Sequence, residues 1–337
     1  MAVNINDVAQ AAGVSVATVS RVISGKNGAG DDTIRRIEKI IEEMGYRPNL
    51  AARSLAKRQT GNVGIISPRK GNIVFGNPFF STILEGVSDV LDKAGYSLVL
   101  SFTASQQKRL LETRSVDGLL LFGMRIGDPV LEWVHRSQLP TVVVGSYLSD
   151  SPYPCVRPDD EGGTYEAVRY MAQKGHSRIS LVTGPLTSVK STRCREGYLK
   201  GMQDEGLNVE PGWIIEAEEY DIMASFEALH ARICGGTFSS TAVVCASDYL
   251  ALGALKAARV NEINVPEELS LIGFGNVPMT EFLHPALTTM NFELAGMGSQ
   301  AARMLGALMQ GKRIRKTERV FPLTLVERQS VRPPMRE

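Results

Sequence analysis

The chain has few of the residues from which metal centres and disulfide frameworks are built, and its basic residues barely outnumber its acidic ones. Its 337 residues include four cysteines and four histidines, and the formal net charge is only +1. Because neither cysteines nor histidines form the closely spaced pairs of a metal site, the sequence predicts no metal, no cofactor and thiols that stay reduced. With so little net charge, any attraction for nucleic acid has to be local.

Long apolar runs are also missing from the sequence. No stretch offers the roughly 20 consecutive apolar residues of a membrane-spanning helix, and the N-terminus lacks the apolar segment of a secretory signal peptide. We therefore expect a cytoplasmic protein without a membrane partner. A chain of 337 residues is too long for one small core, and it suits a small head followed by two larger lobes.

Two short helices with a tight turn between them are predicted near the N-terminus. Asn4 is placed to cap the first helix with Asp7 at its third position, and Gly13 permits the sharp turn that follows. Ser15 is the expected cap of the second helix, whose apolar residues from Val19 onward recur at helical spacing. This arrangement is typical of a helix-turn-helix.

A third amphipathic helix is predicted from Asp31 to Gly45, and its isoleucines can share one miniature core with the first two helices. The exposed side of the second helix offers small, polar and cationic side chains that suit base edges, thymine methyl groups and phosphates in a major groove. These candidate DNA contacts are Ser15, Val16, Ala17, Thr18, Ser20 and Arg21. Taken alone, the pattern leaves an ordinary helical hairpin open, since small alanine-rich helices occur in many enzymes.

Beyond Gly61, apolar strands alternate with amphipathic helices. The predicted strands are Val63–Ser67, Ser97–Phe102, Gly118–Phe122, Thr141–Gly145, Ile179–Thr183, Ala242–Ala246 and Leu269–Phe274. Alternation of this kind is typical of parallel sheets, and the strands are too many for one compact sheet of usual size. The sequence therefore predicts two doubly wound α/β lobes.

Two separated motifs carry a family resemblance. AGVSVATVSRVISG, from Ala12 to Gly25, is followed by GYRPNLAARSLA, from Gly45 to Ala56. With GNVGII, VDGLLL, VPEELSLIGF and HPALTT further along, they resemble the lactose-repressor/galactose-repressor family of bacterial transcription regulators over nearly the whole chain. The resemblance implies a sequence-specific DNA-binding regulator, a repressor of carbohydrate-utilisation genes whose operator affinity is controlled by a small-molecule effector.

The same resemblance implies a domain layout. A helix-turn-helix head takes residues 1–46, a hinge helix and linker take 47–60, and an effector-binding and dimerisation domain takes 61–337. Within the last, one lobe has about residues 61–157 and 292–320, and the other has about 162–289 and 324–332. The two lobes are expected to resemble periplasmic sugar-binding proteins, with the effector between them.

The hinge supplies further DNA contacts by resemblance. Asn49, Ala52 and Arg53 match contact positions, and Leu55 matches the apolar wedge that enters the minor groove and kinks the duplex. Because a homodimer has a two-fold axis, its partner is expected to be a near-palindromic double-stranded operator.

An effector pocket is implied as well, at Phe79, Phe80, Phe122, Tyr220, Ser247, Tyr249 and Asn276. Aromatic faces suit the C–H surfaces of a neutral sugar, whose hydroxyls then find polar partners. The family's effector-holding arginine is replaced here by Cys194, and either Arg193 or Arg195 could take its place. The acidic residue usual after the LIGF strand is also missing, because Gly275 stands there.

Two other classes of protein stay open from the residues alone. A sugar-binding receptor would share the two lobes, but it does not need the head and would carry a signal peptide. An α/β enzyme is the other alternative, and its one dinucleotide-like string runs from Gly296 to Ala301. That string lacks an evident acidic partner about 20 residues on, and no nucleophile elbow or phosphate loop is found elsewhere.

Overall fold

A computed structural model divides the chain into two compact units, Met1–Thr60 and Gly61–Glu337. The structure describes residues 3–23, 29–46, 59–68, 71–76, 78–124, 127–145, 152–315 and 317–335. The predicted hinge contacts Asn49, Ala52, Arg53 and Leu55 lie outside these residues. Within them, no helix is both long enough and apolar enough to cross a membrane.

The described part of the first unit consists of α1 (Ile5–Ala12), α2 (Val16–Ile23) and α3 (Asp31–Glu43). The predicted cap of α1 is present as a capping box. The Asn4 side chain accepts from the backbone of Asn6 and Asp7, and the Asp7 carboxylate accepts from the Asn4 backbone at 2.8 Å. Gly13 then turns the chain in a left-handed conformation, with φ of 64°.

One small core holds the three helices together. It is formed by Val8, Ala9, Ala12, Val19, Ile37 and Tyr46, and partly buried side chains from all three helices pack around it. The inward residues of α2 are therefore buried in the core, and its other side is exposed.

Strands of the second unit form two six-stranded sheets. The first contains β1 (Asn62–Ile66), β2 (Ser97–Ser101), β3 (Gly118–Phe122), β4 (Thr141–Val144), β5 (Cys155–Pro158) and β11 (Glu318–Phe321). The second contains β6 (Ile179–Thr183), β7 (Ile214–Glu216), β8 (Ala242–Cys245), β9 (Ser270–Gly275), β10 (Thr288–Asn291) and β12 (Thr324–Val326). Their orders are β11-β5-β4-β3-β1-β2 and β12-β10-β9-β8-β6-β7.

All pairs of the first sheet are parallel, and in the second sheet β12 runs antiparallel to β10 while the other pairs are parallel. The prediction of parallel sheets is therefore corrected at β12, an edge strand that is three residues long. The predicted combination of an all-α head with two α/β lobes is confirmed. The chain passes from the first sheet to the second after β5, returns after β10, and crosses again between β11 and β12.

The helices of the second unit connect and cover these sheets. They are α4 (Gly71–Gly76), α5 (Pro78–Lys93), α6 (Ala104–Glu112), α7 (Val130–Ser137), α8 (Asp160–Gln173), α9 (Val189–Asp204), α10 (Ile222–Cys234), α11 (Asp248–Val260) and α12 (Leu294–Met309). A short 3₁₀ helix spans Pro278–Glu281. Extensive contacts between helices are made by α5 with α12, by α8 with α9, and by α10 with α11.

The dinucleotide-like string around Gly298 serves the packing of α12 against α5. A Cβ atom at Gly298 would lie 2.0 Å from the carbonyl oxygen of Ile83, and one at Gly86 would lie 1.9 Å from that of Ala295. The two helix backbones therefore approach each other so closely that neither position has room for a side chain. This contact between the helices explains why glycine stands at position 298, and no nucleotide is needed to explain it.

His176 joins three parts of the second lobe and is 3% exposed. Its Nε2 donates to the carbonyl of Arg332 at 2.9 Å, and its Nδ1 accepts from the Thr241 hydroxyl at 2.9 Å. Burial lowers the pKa of His176 below its ordinary value of 6.5, although the Arg332 carbonyl acts in the opposite direction.

This lowered pKa predicts a loss of stability in acid. The unfolded chain protonates His176 as the pH falls through about 6.5, and the folded chain does so only at lower pH, so the contribution of His176 to the free energy of unfolding should decrease between about pH 7 and pH 5. Urea unfolding followed by tryptophan fluorescence measures this, because Trp133 and Trp213 both lie in the second unit. His176→Gln should lessen the loss of unfolding free energy on acidification, and the exposed control His135→Gln should not. If the free energy of unfolding changes equally with pH in both variants, the assignment to His176 is wrong.

Candidate DNA-contact surface and ligand cleft

The exposed side of α2 carries the predicted DNA contacts of the head. Ser15, Val16, Ala17, Ser20 and Arg21 are exposed, and Thr18 is half-buried. Val16 exposes 39% of its surface, and its apolar side chain suits contact with a thymine methyl group. The described head therefore presents all six predicted residues on or beside one helix.

Ser15 and Thr18 are also used within the head. The Ser15 hydroxyl accepts from the backbone N–H of Thr18 at 3.2 Å, which caps α2, and it lies 2.9 Å from the Thr18 hydroxyl. A hydroxyl keeps further hydrogen-bonding capacity after one such bond. The cap therefore orients these two groups at the N-terminus of α2 and leaves them able to meet a phosphate or a base.

In the second unit, a cleft lies between the carboxyl ends of the two sets of strands. In the first sheet β1 stands between β2 and β3, so the connections after β1 and β3 diverge, and β6 and β8 are related in the same way in the second sheet. Ligands of doubly wound sheets bind at such points of divergence. The cleft offers about 940 Å³ of space outside protein atoms, open solvent at the mouth included.

Residues at the ends of strands, or in the segments that follow them, line the cleft. Phe79, Phe80, Gly123, Met124 and Gly145 belong to the first lobe, and Ser188, Lys190, Glu219, Tyr220, Asp221, Ser247, Asp248, Tyr249, Phe274, Gly275 and Val277 belong to the second. Five of the predicted effector residues are brought together here, namely Phe79, Phe80, Tyr220, Ser247 and Tyr249. Lys190 and Phe274, which also line the cleft, were not predicted as effector residues from the sequence.

Tyr220 is fixed beside the end of β6. Its hydroxyl lies 2.7 Å from the Ser191 hydroxyl, and burial raises its pKa, so the phenol stays neutral. The ring fits because Gly184 has no side chain: a Cβ atom there would lie 2.4 Å from Cε2 of the ring. One face of the cleft is therefore a rigid aromatic surface.

Ser247, Asp248 and Tyr249 follow β8 and start α11. The Ser247 hydroxyl caps that helix by accepting from the Leu250 backbone at 3.1 Å. The buried Asp248 carboxylate accepts from the Thr289 hydroxyl at 2.6 Å and from the Val277 backbone at 2.8 Å. Burial raises the pKa of Asp248, while these two hydrogen bonds act in the opposite direction.

Tyr249 links the two lobes directly. Its hydroxyl donates to the carbonyl of Gly76, at the end of α4, with a distance of 2.6 Å. One aromatic residue of the second lobe is thus hydrogen-bonded to the backbone of the first lobe at the rim of the cleft.

Four predicted effector residues lie away from the cleft lining. Phe122 is 2% exposed and packs in the core of the sheets. Asn276 binds the Asn291 side chain at 3.1 Å and the Arg328 guanidinium at 2.7 Å. Arg193 pairs with Glu161 at 3.3 Å, and Arg195 is exposed on α9. The cation that the described chain places in the cleft is instead Lys190.

Lys190 lies in the first turn of α9, one helical turn before Cys194 and on the same side of the helix. Its Nζ is 3.8 Å from Oδ1 of Asp160 and is surrounded by aromatic rings. Burial raises the pKa of Asp160 to about 6, although Lys190 and Arg157 lower it. An ionised Asp160 carboxylate at this distance offsets the charge of the lysine.

Comparison with known proteins finds relatives for both the helix-turn-helix head and the unit that contains the cleft. The model of the lacI family of bacterial regulatory proteins matches residues 4–49, and that of a periplasmic binding protein-like domain matches residues 168–331. The transcriptional regulator RegA of Clostridium saccharobutylicum is 32% identical over 98% of this chain and 99% of its own length. The chain belongs to the lacI family.

Solved structures of transcriptional regulators have the same fold. A lac repressor dimer bound to operator and the anti-inducer ONPF superposes with a TM-score of 0.85 at 25% identity, covering 98% of this chain and all of that one. A complex of the regulator CelR with cellobiose gives 0.76 at 26% identity, covering 97% and 99%. Members of this family are transcriptional regulators rather than enzymes, so the enzyme alternative is set aside.

The close contact at Gly184 predicts a steric effect. Gly184→Ala places a methyl group in the Tyr220 ring, so we expect the free energy of unfolding of the second unit to fall by about 1–3 kcal/mol. Gly306→Ala is the matched control: a Cβ atom there has no neighbour within 4 Å, and alanine favours the interior of α12 by about 0.5–1 kcal/mol. Urea unfolding compares the two, and equal stability of both variants would refute the assigned packing.

Proposed function

We propose that this protein is a homodimeric transcription repressor of carbohydrate-utilisation genes, and that a neutral sugar bound in the cleft controls its affinity for a near-palindromic operator. The observation that carries the proposal is the presence in one chain of a helix-turn-helix head and a two-lobed cleft lined by aromatic faces. A receptor without a DNA role has no use for the head. The family places both parts in transcriptional regulation.

For the head, we infer that α2 enters the major groove. Its exposed side offers Val16 and Ala17 to thymine methyl groups, and Ser20 and Arg21 to base edges or phosphates. Two heads related by the two-fold axis of a dimer would read two half-sites, which makes the operator near-palindromic. The lac repressor, to which this chain is similar, binds its operator as a dimer.

The hinge completes the proposal at the DNA. Asn49, Ala52 and Arg53 are proposed contacts, and Leu55 is the proposed wedge at the centre of the operator. A pyrimidine–purine step is expected there because such steps unstack most easily. We also infer that the protein acts in the cytoplasm, where its operator is located.

For the cleft, the chemistry favours an uncharged ligand with hydroxyl groups. The aromatic rings provide faces for sugar C–H groups, and Glu219 and Asp221 offer acceptors for hydroxyls. An anionic ligand would face those carboxylates, and the charge of Lys190 is already balanced by Asp160. The CelR structure holds the neutral disaccharide cellobiose, which agrees with this class of ligand.

The proposed role of Arg21 is testable without knowing the operator in advance. Duplexes that the wild-type protein selects from a random library should be near-palindromic, and Arg21→Ala should bind them more weakly by about 1–3 kcal/mol because a base or phosphate contact is lost. Gel-shift titration measures the affinity. Arg109→Ala, an exposed arginine on α6, serves as control, and an undiminished affinity of Arg21→Ala would remove the assigned role.

The ligand class is tested by a thermal-shift screen of cellobiose, maltose, ribose, nucleosides and sugar phosphates. We expect a neutral sugar to give the largest shift. Tyr220→Ala should weaken that sugar by roughly tenfold or more, because a stacking face is lost, and should leave ligand-free affinity for the selected duplex unchanged. Tyr165→Ala, an aromatic residue outside the cleft lining, is the control. A sugar phosphate as the sole strong ligand would disprove the proposed class.

A further inference from the structure

The Lys190 ammonium lies within a set of groups that are suited to hold a cation. Its Nζ is 5.3 to 6.0 Å from the centroids of four aromatic rings, and 3.8 Å from Oδ1 of Asp160. The rings belong to Phe79, Tyr220, Phe274 and Phe292. We call these four rings together with the Asp160 carboxylate the ammonium cage.

The ammonium cage is held in place by contacts that do not involve the lysine. Phe79 and Phe292 meet edge to face at 5.7 Å, and Phe292 meets Phe274 at 6.1 Å. Tyr220 is held by its contact with the Ser191 hydroxyl. Phe79 comes from the first lobe and the other three rings follow or end strands of the second sheet. The cage is therefore preorganised, as a binding site for a cation requires.

The Asp160 carboxylate of the cage has unused hydrogen-bonding capacity. Oδ1 of Asp160 is buried and makes no hydrogen bond to any described residue. The separation of 3.8 Å between Nζ and this oxygen is longer than a hydrogen bond. Lys190 also stands in the first turn of α9, where the helix dipole disfavours a cation. Its position thus depends on the rings and on the charge of Asp160.

We propose that the ammonium cage is a binding site for a primary ammonium group, that Lys190 fills it from within the chain, and that Lys190 thereby restricts the cleft to uncharged ligands. A cationic ligand finds its site occupied. An anionic ligand gains little, because Asp160 neutralises Lys190. The N–H groups of Lys190 make no hydrogen bond within the described part of the chain, so they can donate to a hydroxyl or ether oxygen. This inference rests on the proposed function only in treating the cleft as a ligand site.

The experiment uses propylammonium, which replaces the atoms that Lys190→Ala removes, from Cγ to Nζ. In this variant of the full chain, NMR titration should show propylammonium binding roughly tenfold more tightly than 1-propanol, which has the same length without the charge. The wild-type protein should bind neither detectably. Equal affinity of the variant for the two compounds, or equal binding of propylammonium by wild type and variant, would overturn the proposal.

Two further variants separate the cage from a general effect of the substitution. Lys190→Met fills the cage with an uncharged chain of similar length, so propylammonium should not bind. Asp160→Asn in the Lys190→Ala background removes the carboxylate, so the preference for propylammonium over 1-propanol should shrink. If the double variant keeps the full preference, Asp160 is not part of the site.

A measurement on the wild-type protein does not depend on how any cage variant folds. Protons near the faces of aromatic rings resonate upfield, so the ε-methylene protons of Lys190 should be shifted upfield relative to the other lysines. Their signal is assigned by its loss in Lys190→Met, or by sequential assignment if that variant does not fold. An ordinary chemical shift would refute the cage. None of these measurements involves a sugar, so a failed sugar screen leaves the inference standing, and a failed cage test leaves the sugar proposal standing.

Discussion

Parallel pairing of strands is the constraint on which the second unit depends. Each parallel strand delivers the residues that follow it to the same edge of its sheet, and the helices that return the chain cover both faces. Side chains that follow different strands therefore meet in one cleft. Examples are Met124 after β3, Tyr220 after β7 and Tyr249 after β8. The antiparallel strand β12 stands at an edge of its sheet and does not disturb this arrangement.

Local signals in the sequence predicted much of this architecture. The capping box at Asn4 and the turn at Gly13 depend on residues three or four positions apart, and such short-range relations are visible in a sequence. The seven predicted strands were all present to within a residue at each end, because buried parallel strands are continuous apolar runs. The strands β5, β7 and β10 to β12 were not predicted, since they are short and contain polar residues or proline.

The cleft was harder to predict because its lining depends on directions of side chains. Phe122 is the last residue of β3 and points into the core, so the cleft receives Gly123 and Met124 after it. On α9, residues one position from Cys194 are turned by about 100° around the helix, which explains why Arg193 and Arg195 do not take its place. Lys190, four positions earlier, shares its side of the helix. The predicted roles of these residues in binding stay predictions, as do the domain boundaries.

The glycine contact between α5 and α12 restricts how these two helices of the first lobe can move relative to each other. The two backbones touch at Gly86 and Gly298, and the Ser299 hydroxyl donates to the Gly86 carbonyl at 3.1 Å. Helices in such close backbone contact have little room to slide past each other, so we expect them to move together. Since α5 begins at Pro78 and carries Phe79 into the cleft, we expect a displacement of that ring to involve both helices.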